Sequence, residues 1–76
     1  MNVNYRNLIT VNQAVRSGKP CIKGTRITVG DVLGMLASGM SSEQIIFDFP
    51  ELTPEHILAS IAYAADKENH TATLVA

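Results

Sequence analysis

The chain has 76 residues, of which 46% are hydrophobic and 17% charged, with a net charge of −1, three prolines, one cysteine and no tryptophan. That length allows one domain burying only about 60% of its unfolded surface, and a lone Cys21 excludes an intrachain disulfide as a supplement to so small a core. Extra buried surface is therefore expected from self-association, and a homodimer is predicted.

The net charge hides a division along the chain. Five of the six basic residues (Arg6, Arg16, Lys19, Lys23, Arg26) precede Ile27, and all seven acidic ones (Asp31, Glu43, Asp48, Glu51, Glu55, Asp66, Glu68) follow it. Such a chain either offers one end to phosphate and the other to a basic protein, or brings its two halves together in a charge-complementary fold.

In chain order, Leu8 to Val11 is a candidate short strand, with Arg26 to Thr28 a second that pairs with it or with a symmetry mate. Between them, Gly18 to Val29 reads GKPCIKGTRITV. Two glycines and a proline within seven positions impose turn geometry, and Ile22 and Ile27 around Gly24-Thr25 predict a hairpin-like lead-in that gathers Lys19, Lys23 and Arg26.

Three helices follow. Thr28 with Asp31 forms a capping-box pattern, opening a helix through Val32, Leu33, Met35, Leu36 and Ala37 that ends at Gly39 in the left-handed conformation. Ser41 with Gln44 repeats the pattern for a second helix of about two turns, whose apolar face is Ile45, Ile46 and Phe49, and Pro50 closes it. Thr53-Pro54 opens the longest helix, expected to reach Asp66 or Lys67, with Ile57, Leu58, Ile61, Ala62 and Ala65 recurring every three or four residues. Met40 and Leu52, each just before a cap, are placed to staple the following turn. The fold class is therefore mainly α: a tri-helical helix-turn-helix bundle with short N-terminal strands or a hairpin. Residues 1–68 form the single domain and residues 69–76 a flexible C-terminal tail, free or adding Leu74-Val75 to a partner.

No transmembrane segment is expected, because the mostly apolar stretch from Ile57 to Ala65 falls far short of the roughly 20 residues a span needs. The first 20 residues contain no signal-peptide run, so the chain is read as cytoplasmic. Nothing assembles an enzyme. Cys21 lacks an orienting base, since His56 and His70 are distant in sequence, and one Cys with two His gives no metal-ligand spacing. Glu51 and Glu55 are explained by the helix dipole at the third helix start. No catalytic residue, metal or cofactor is predicted. Lys23 and Arg26 sit on a constrained segment and read either as phosphate contacts or as a solvated pair. The third helix is the recognition helix by position, yet its first turn offers only Glu55, His56 and Ser60, so DNA affinity must lean on the basic segment and on dimerisation.

The run GKPCIKGTRITV, the ASGMSSEQI helix pair and the DFPELTPEHILASIAYAA segment resemble the family known as domain of unknown function 433, over roughly Leu8 to Lys67. The resemblance implies a winged-helix-like or homeodomain-like tri-helical fold and an antitoxin of the VapB-like type II kind, whose partner is a PIN-like nuclease toxin; together with the charge division it leads to the expectation of a dimer that neutralises this ribonuclease and binds its own operator DNA. Gly18, Lys19, Pro20, Gly24, Thr25 and Arg26 correspond to the family's signature loop and Glu43 to Leu58 to its helix-turn-helix. On these combined grounds the expected DNA contacts are Lys19, Lys23, Thr25, Arg26, His56 and Ser60, and the expected toxin contacts are Glu43, Asp48, Glu51 and Glu55, whose carboxylates suit a positively lined nuclease site. The alternative is a stand-alone DNA-binding transcriptional regulator with no toxin.

Overall fold

The computed structural model describes residues 5–72, and of Arg6 and residues 69–72 the backbone alone. A turn at Tyr5–Asn7 leads into β1 (Ile9–Thr10), which pairs antiparallel with β2 (Cys21–Ile22), and three helices follow, α1 (Val29–Ala37), α2 (Ser42–Asp48) and α3 (Pro54–Ala72). The mainly helical fold with a short antiparallel strand pair is the one the sequence predicts.

All three helices start with the same local arrangement. In α1 the Thr28 hydroxyl accepts from the Asp31 amide at 2.8 Å while the Asp31 carboxylate accepts from the Thr28 amide at 3.0 Å. Ser41 and Gln44 make the same reciprocal pair for α2, at 3.1 and 2.8 Å. In α3 a histidine takes the third position: the His56 amide donates to the Thr53 hydroxyl at 3.3 Å, and His56 Nδ1 accepts from the Thr53 amide at 3.0 Å. Each box satisfies two backbone donors that a helix start would otherwise leave without partners. Before each cap stands an apolar residue (Ile27, Met40, Leu52), and four residues after each cap stands a buried one (Val32, Ile45, Ile57). Those three buried residues join Ile22 and Leu52 as the centre of the core, with Ile27 and Met40 packed against it. The helix starts therefore also place the core.

Gly39 ends α1 at φ +100°. Its amide donates to the Leu36 carbonyl at 3.0 Å and the Met40 amide to the Met35 carbonyl at 3.1 Å, which closes a Schellman motif. Gly24, at φ +82°, turns the chain between Ile22 and Thr25, whose amide donates to the Ile22 carbonyl at 3.0 Å. Ile22 also donates to the Ile27 carbonyl at 2.8 Å, so the expected hairpin-like lead-in forms.

Two expectations are corrected. The first strand pairs not with Arg26–Thr28 but with Cys21–Ile22, in the register Ile9↔Ile22 and Thr10↔Cys21, and Thr28 makes an isolated bridge to Cys21. In this register Ile22 stands opposite Ile9 and is fully buried. The second correction concerns the tail, because α3 continues to Ala72 and residues 69–72 are helical. The N-terminal turn packs against this helix: the Tyr5 hydroxyl donates to Asp66. Tyr5 and Tyr63 also stack edge to face at 5.4 Å, and Lys67 lies 5.4 Å from the Tyr63 ring centre. Leu74 and Val75 lie outside the described residues.

Candidate functional surfaces

The basic segment is built on an unusual turn. Arg16 and Ser17 have φ values of 50° and 58°, and Gly18 follows at 82°, so three successive residues adopt the left-handed region. A side chain at Gly18 would bring its Cβ to 2.8 Å from the Gln13 amide nitrogen. From this turn the Arg16 guanidinium donates to the Arg26 carbonyl at 2.9 Å and to the Asp31 carboxylate at 3.2 Å. Arg16 thus ties the basic loop to the first turn of α1. Nothing in the sequence marks this role, since the partners lie 10 and 15 residues away and neither left-handed residue before Gly18 is a glycine or asparagine.

The six expected DNA contacts separate. Lys19, Lys23 and Arg26 are exposed along the loop. Thr25 is half-buried, and its hydroxyl is engaged inside the turn, donating to the Ile22 carbonyl at 2.9 Å and accepting from the Ile27 amide at 3.0 Å. Its role is to hold the loop. Ser60 is fully buried and donates to the His56 carbonyl at 3.0 Å, so its side chain is withdrawn from any DNA-facing surface. His56 is half-buried and occupied at Nδ1 by the cap of α3. The outward residues of α3 include Glu55, Leu58, Ile61 and Ala65, with Leu58 43% and Ile61 37% exposed. An acidic and apolar face does not suit a phosphate-lined groove, which goes against α3 as a recognition helix, whereas Lys19, Lys23 and Arg26 stand exposed on the loop.

The loop borders a groove of about 430 Å³ lined by Lys19, Pro20, Thr28, Val29, Gly30 and Asp31. The Asp31 carboxyl is held below the ordinary aspartate value, chiefly by the Thr28 amide, with the Thr28 hydroxyl and Arg16 acting in the same direction against partial desolvation. An ionised carboxylate therefore stands at the start of α1 and opposes an anion there.

Glu43, Asp48, Glu51 and Glu55 are all exposed. The structure divides them by place: Glu43 and Asp48 flank a second groove, on α2, with Met40, Gln44 and Phe47, whereas Glu51 precedes α3 and Glu55 lies in its first turn. Phe47, which the sequence reading left unassigned, is 84% exposed. The Arg16–Asp31 ion pair joins the basic and acidic halves at one point. Cys21 is 1% exposed and its thiol donates to the Lys19 carbonyl, a structural placement. Among the described residues no cluster of His, Cys, Asp and Glu fits a metal ion, and no helix is long and apolar enough to cross a membrane.

Two short helices and a longer third behind a strand pair, with α2 and α3 joined by a tight proline-containing turn, define a small tri-helical domain of the helix-turn-helix class. Residues 9–64 match the family described as Protein of unknown function (DUF433), and the chain belongs to that family. A crystal structure of a DUF433 member from Anabaena variabilis superposes with a TM-score of 0.79 at 25% identity, covering 86% of this chain and 64% of that one. A Sinorhizobium fredii protein, described as uncharacterized protein y4eO, is 34% identical over 59 residues, or 78% of this chain. The match spans only 27% of that relative's length.

Proposed function

We propose that this chain is the antitoxin of a type II toxin–antitoxin pair, a cytoplasmic, non-enzymatic homodimer that binds its operator DNA and neutralises a PIN-like ribonuclease. The observation that carries the reading is the placement of opposite charges on separate exposed surfaces: Lys19, Lys23 and Arg26 on the loop, Glu43 and Asp48 on α2, Glu51 and Glu55 at the start of α3. The loop meets phosphate, and the carboxylates meet the cationic lining that a nuclease needs to grip RNA. Leu58, Ile61 and Ala65, spaced three and four residues apart on the outer side of α3, supply an uncharged stripe for the second copy.

The test is a tagged pull-down of the full chain from its native cell after nuclease digestion of bridging nucleic acid. A stoichiometric PIN-like nuclease is the expected companion. Return of the chain alone would refute the antitoxin reading and leave the stand-alone regulator. That regulator binds DNA unaided, with affinity falling about 0.9 log units per log of salt for each phosphate neutralised, and loses binding in Lys23→Glu/Arg26→Glu.

A further inference from the structure

Three consecutive large apolar residues, Ile45, Ile46 and Phe47, occupy a helix of only seven residues. They cannot all face inward. Ile45 is buried, Ile46 packs against the core, and the roughly 100° step per residue turns Phe47 to the opposite side. Phe49, four residues after Ile45, returns to the core, leaving Phe47 the most exposed large apolar side chain among the described residues, at 84%.

The surroundings of Phe47 select its partner. Glu43 lies four residues before it and Gln44 three before, so both share its side of the helix, and Asp48 follows directly. With Met40 they enclose a groove of about 380 Å³ whose described lining carries two carboxylates and no cation. We infer that this α2 groove is a docking site for an arginine-bearing segment of a protein partner, with Phe47 as its anchor. A guanidinium matches each group at once: its plane stacks on the Phe47 ring, its paired N–H groups meet the Glu43 or Asp48 carboxylate, and the Gln44 amide oxygen accepts a further bond. A nucleic acid is repelled by the two carboxylates. A second copy docked here about a two-fold axis would bring four carboxylates together around two phenylalanines, so charge separates this groove from the uncharged stripe on α3.

The inference rests on the reading of the acidic half as a protein-binding surface and narrows it, since Glu51 and Glu55 lie outside the groove. The deciding experiment titrates the isotope-labelled full chain, by amide NMR, with a short helical peptide carrying arginine and leucine four residues apart. A version with glutamate in place of arginine serves as the comparison. Binding should shift the amides of residues 40–48, weaken about tenfold or more in Phe47→Ala and in Glu43→Gln/Asp48→Gln, and remain within twofold in Glu51→Gln/Glu55→Gln. Phe47 and all four carboxylates are exposed, so these variants should keep the fold, which circular dichroism checks. Unchanged affinity in Phe47→Ala, equal loss in Glu51→Gln/Glu55→Gln, or shifts centred elsewhere would overturn the inference. So would a wild-type dimer that Phe47→Ala converts to a monomer, because the second copy would then occupy the groove. No nuclease enters this experiment, so its failure is separate from a failure of the antitoxin reading, which the pull-down decides.

Discussion

Alanine at Gly34 and at Gly39, five residues apart around the end of α1, should change stability in opposite directions. Gly34 lies inside the helix with ordinary backbone angles, and a Cβ built there meets nothing within 4 Å. Alanine restricts the unfolded chain without a clash and should add about 0.5–1 kcal/mol. Gly39 also has open space around a Cβ, but its φ of +100° is one that side chains resist. There the cost is conformational alone, about 1–2 kcal/mol, and it falls on the residue that closes the Schellman motif. In a domain of this size about 1 kcal/mol moves Tm by roughly 4–8 °C, so the two variants should straddle the parent by about 10 °C. Thermal and urea unfolding followed by circular dichroism, at one fixed protein concentration, measures both. A Gly34→Ala variant less stable than the parent, or a Gly39→Ala variant equal to it, would refute the reasoning.

Three further outcomes follow from the same contacts. Asp31 has a folded pKa below its ordinary 3.8, so its contribution to stability is complete above that value and is lost as pH falls through the lower folded one; Asp31→Asn should remove this part of the acid limb in pH-dependent urea unfolding. His56→Gln keeps an acceptor at the third position of α3 and should stay within about 0.5 kcal/mol of the parent, whereas His56→Ala should lose about 1 kcal/mol in the same assay. Ile61→Glu places charge in the apolar stripe of α3 and should convert the proposed dimer to a monomer by light scattering without changing the helical spectrum; a variant that remains dimeric would move the interface elsewhere.

Much of the fold was legible because it is written in local side-chain-to-backbone chemistry. The Thr28/Asp31 and Ser41/Gln44 boxes, the stop at Gly39 and the turn at Gly24 each involve residues within a few positions of one another, and each forms. The third box escaped the pattern because His56 stands where glutamate or glutamine is the usual signal. Long-range facts were not legible. The pairing of β1 with β2 brings Ile9 to Ile22 across the basic segment, and Tyr5 reaches α3 through a hydrogen bond to Asp66, 61 residues away. On the surfaces, residue type located charge correctly, as Lys19, Lys23, Arg26 and the four carboxylates are exposed. It did not separate a hydroxyl that reaches outward from one that bonds its own backbone, which is why Thr25 and Ser60 read as contacts. In α2 the inward face of Ile45, Ile46 and Phe49 was legible from helical spacing and forms, but the exposure of Phe47 that this spacing entails was not drawn from it.

The central claim concerns what the acidic half does to a nuclease. Its most direct test is a titration of the proposed partner, a PIN-like ribonuclease recovered in the pull-down, with the full chain, following cleavage of a single-stranded RNA substrate. The account predicts complete inhibition at a fixed stoichiometry and restoration of cleavage when Glu43 and Asp48 are changed to lysine; cleavage that continues undiminished in the presence of excess wild-type chain would contradict it.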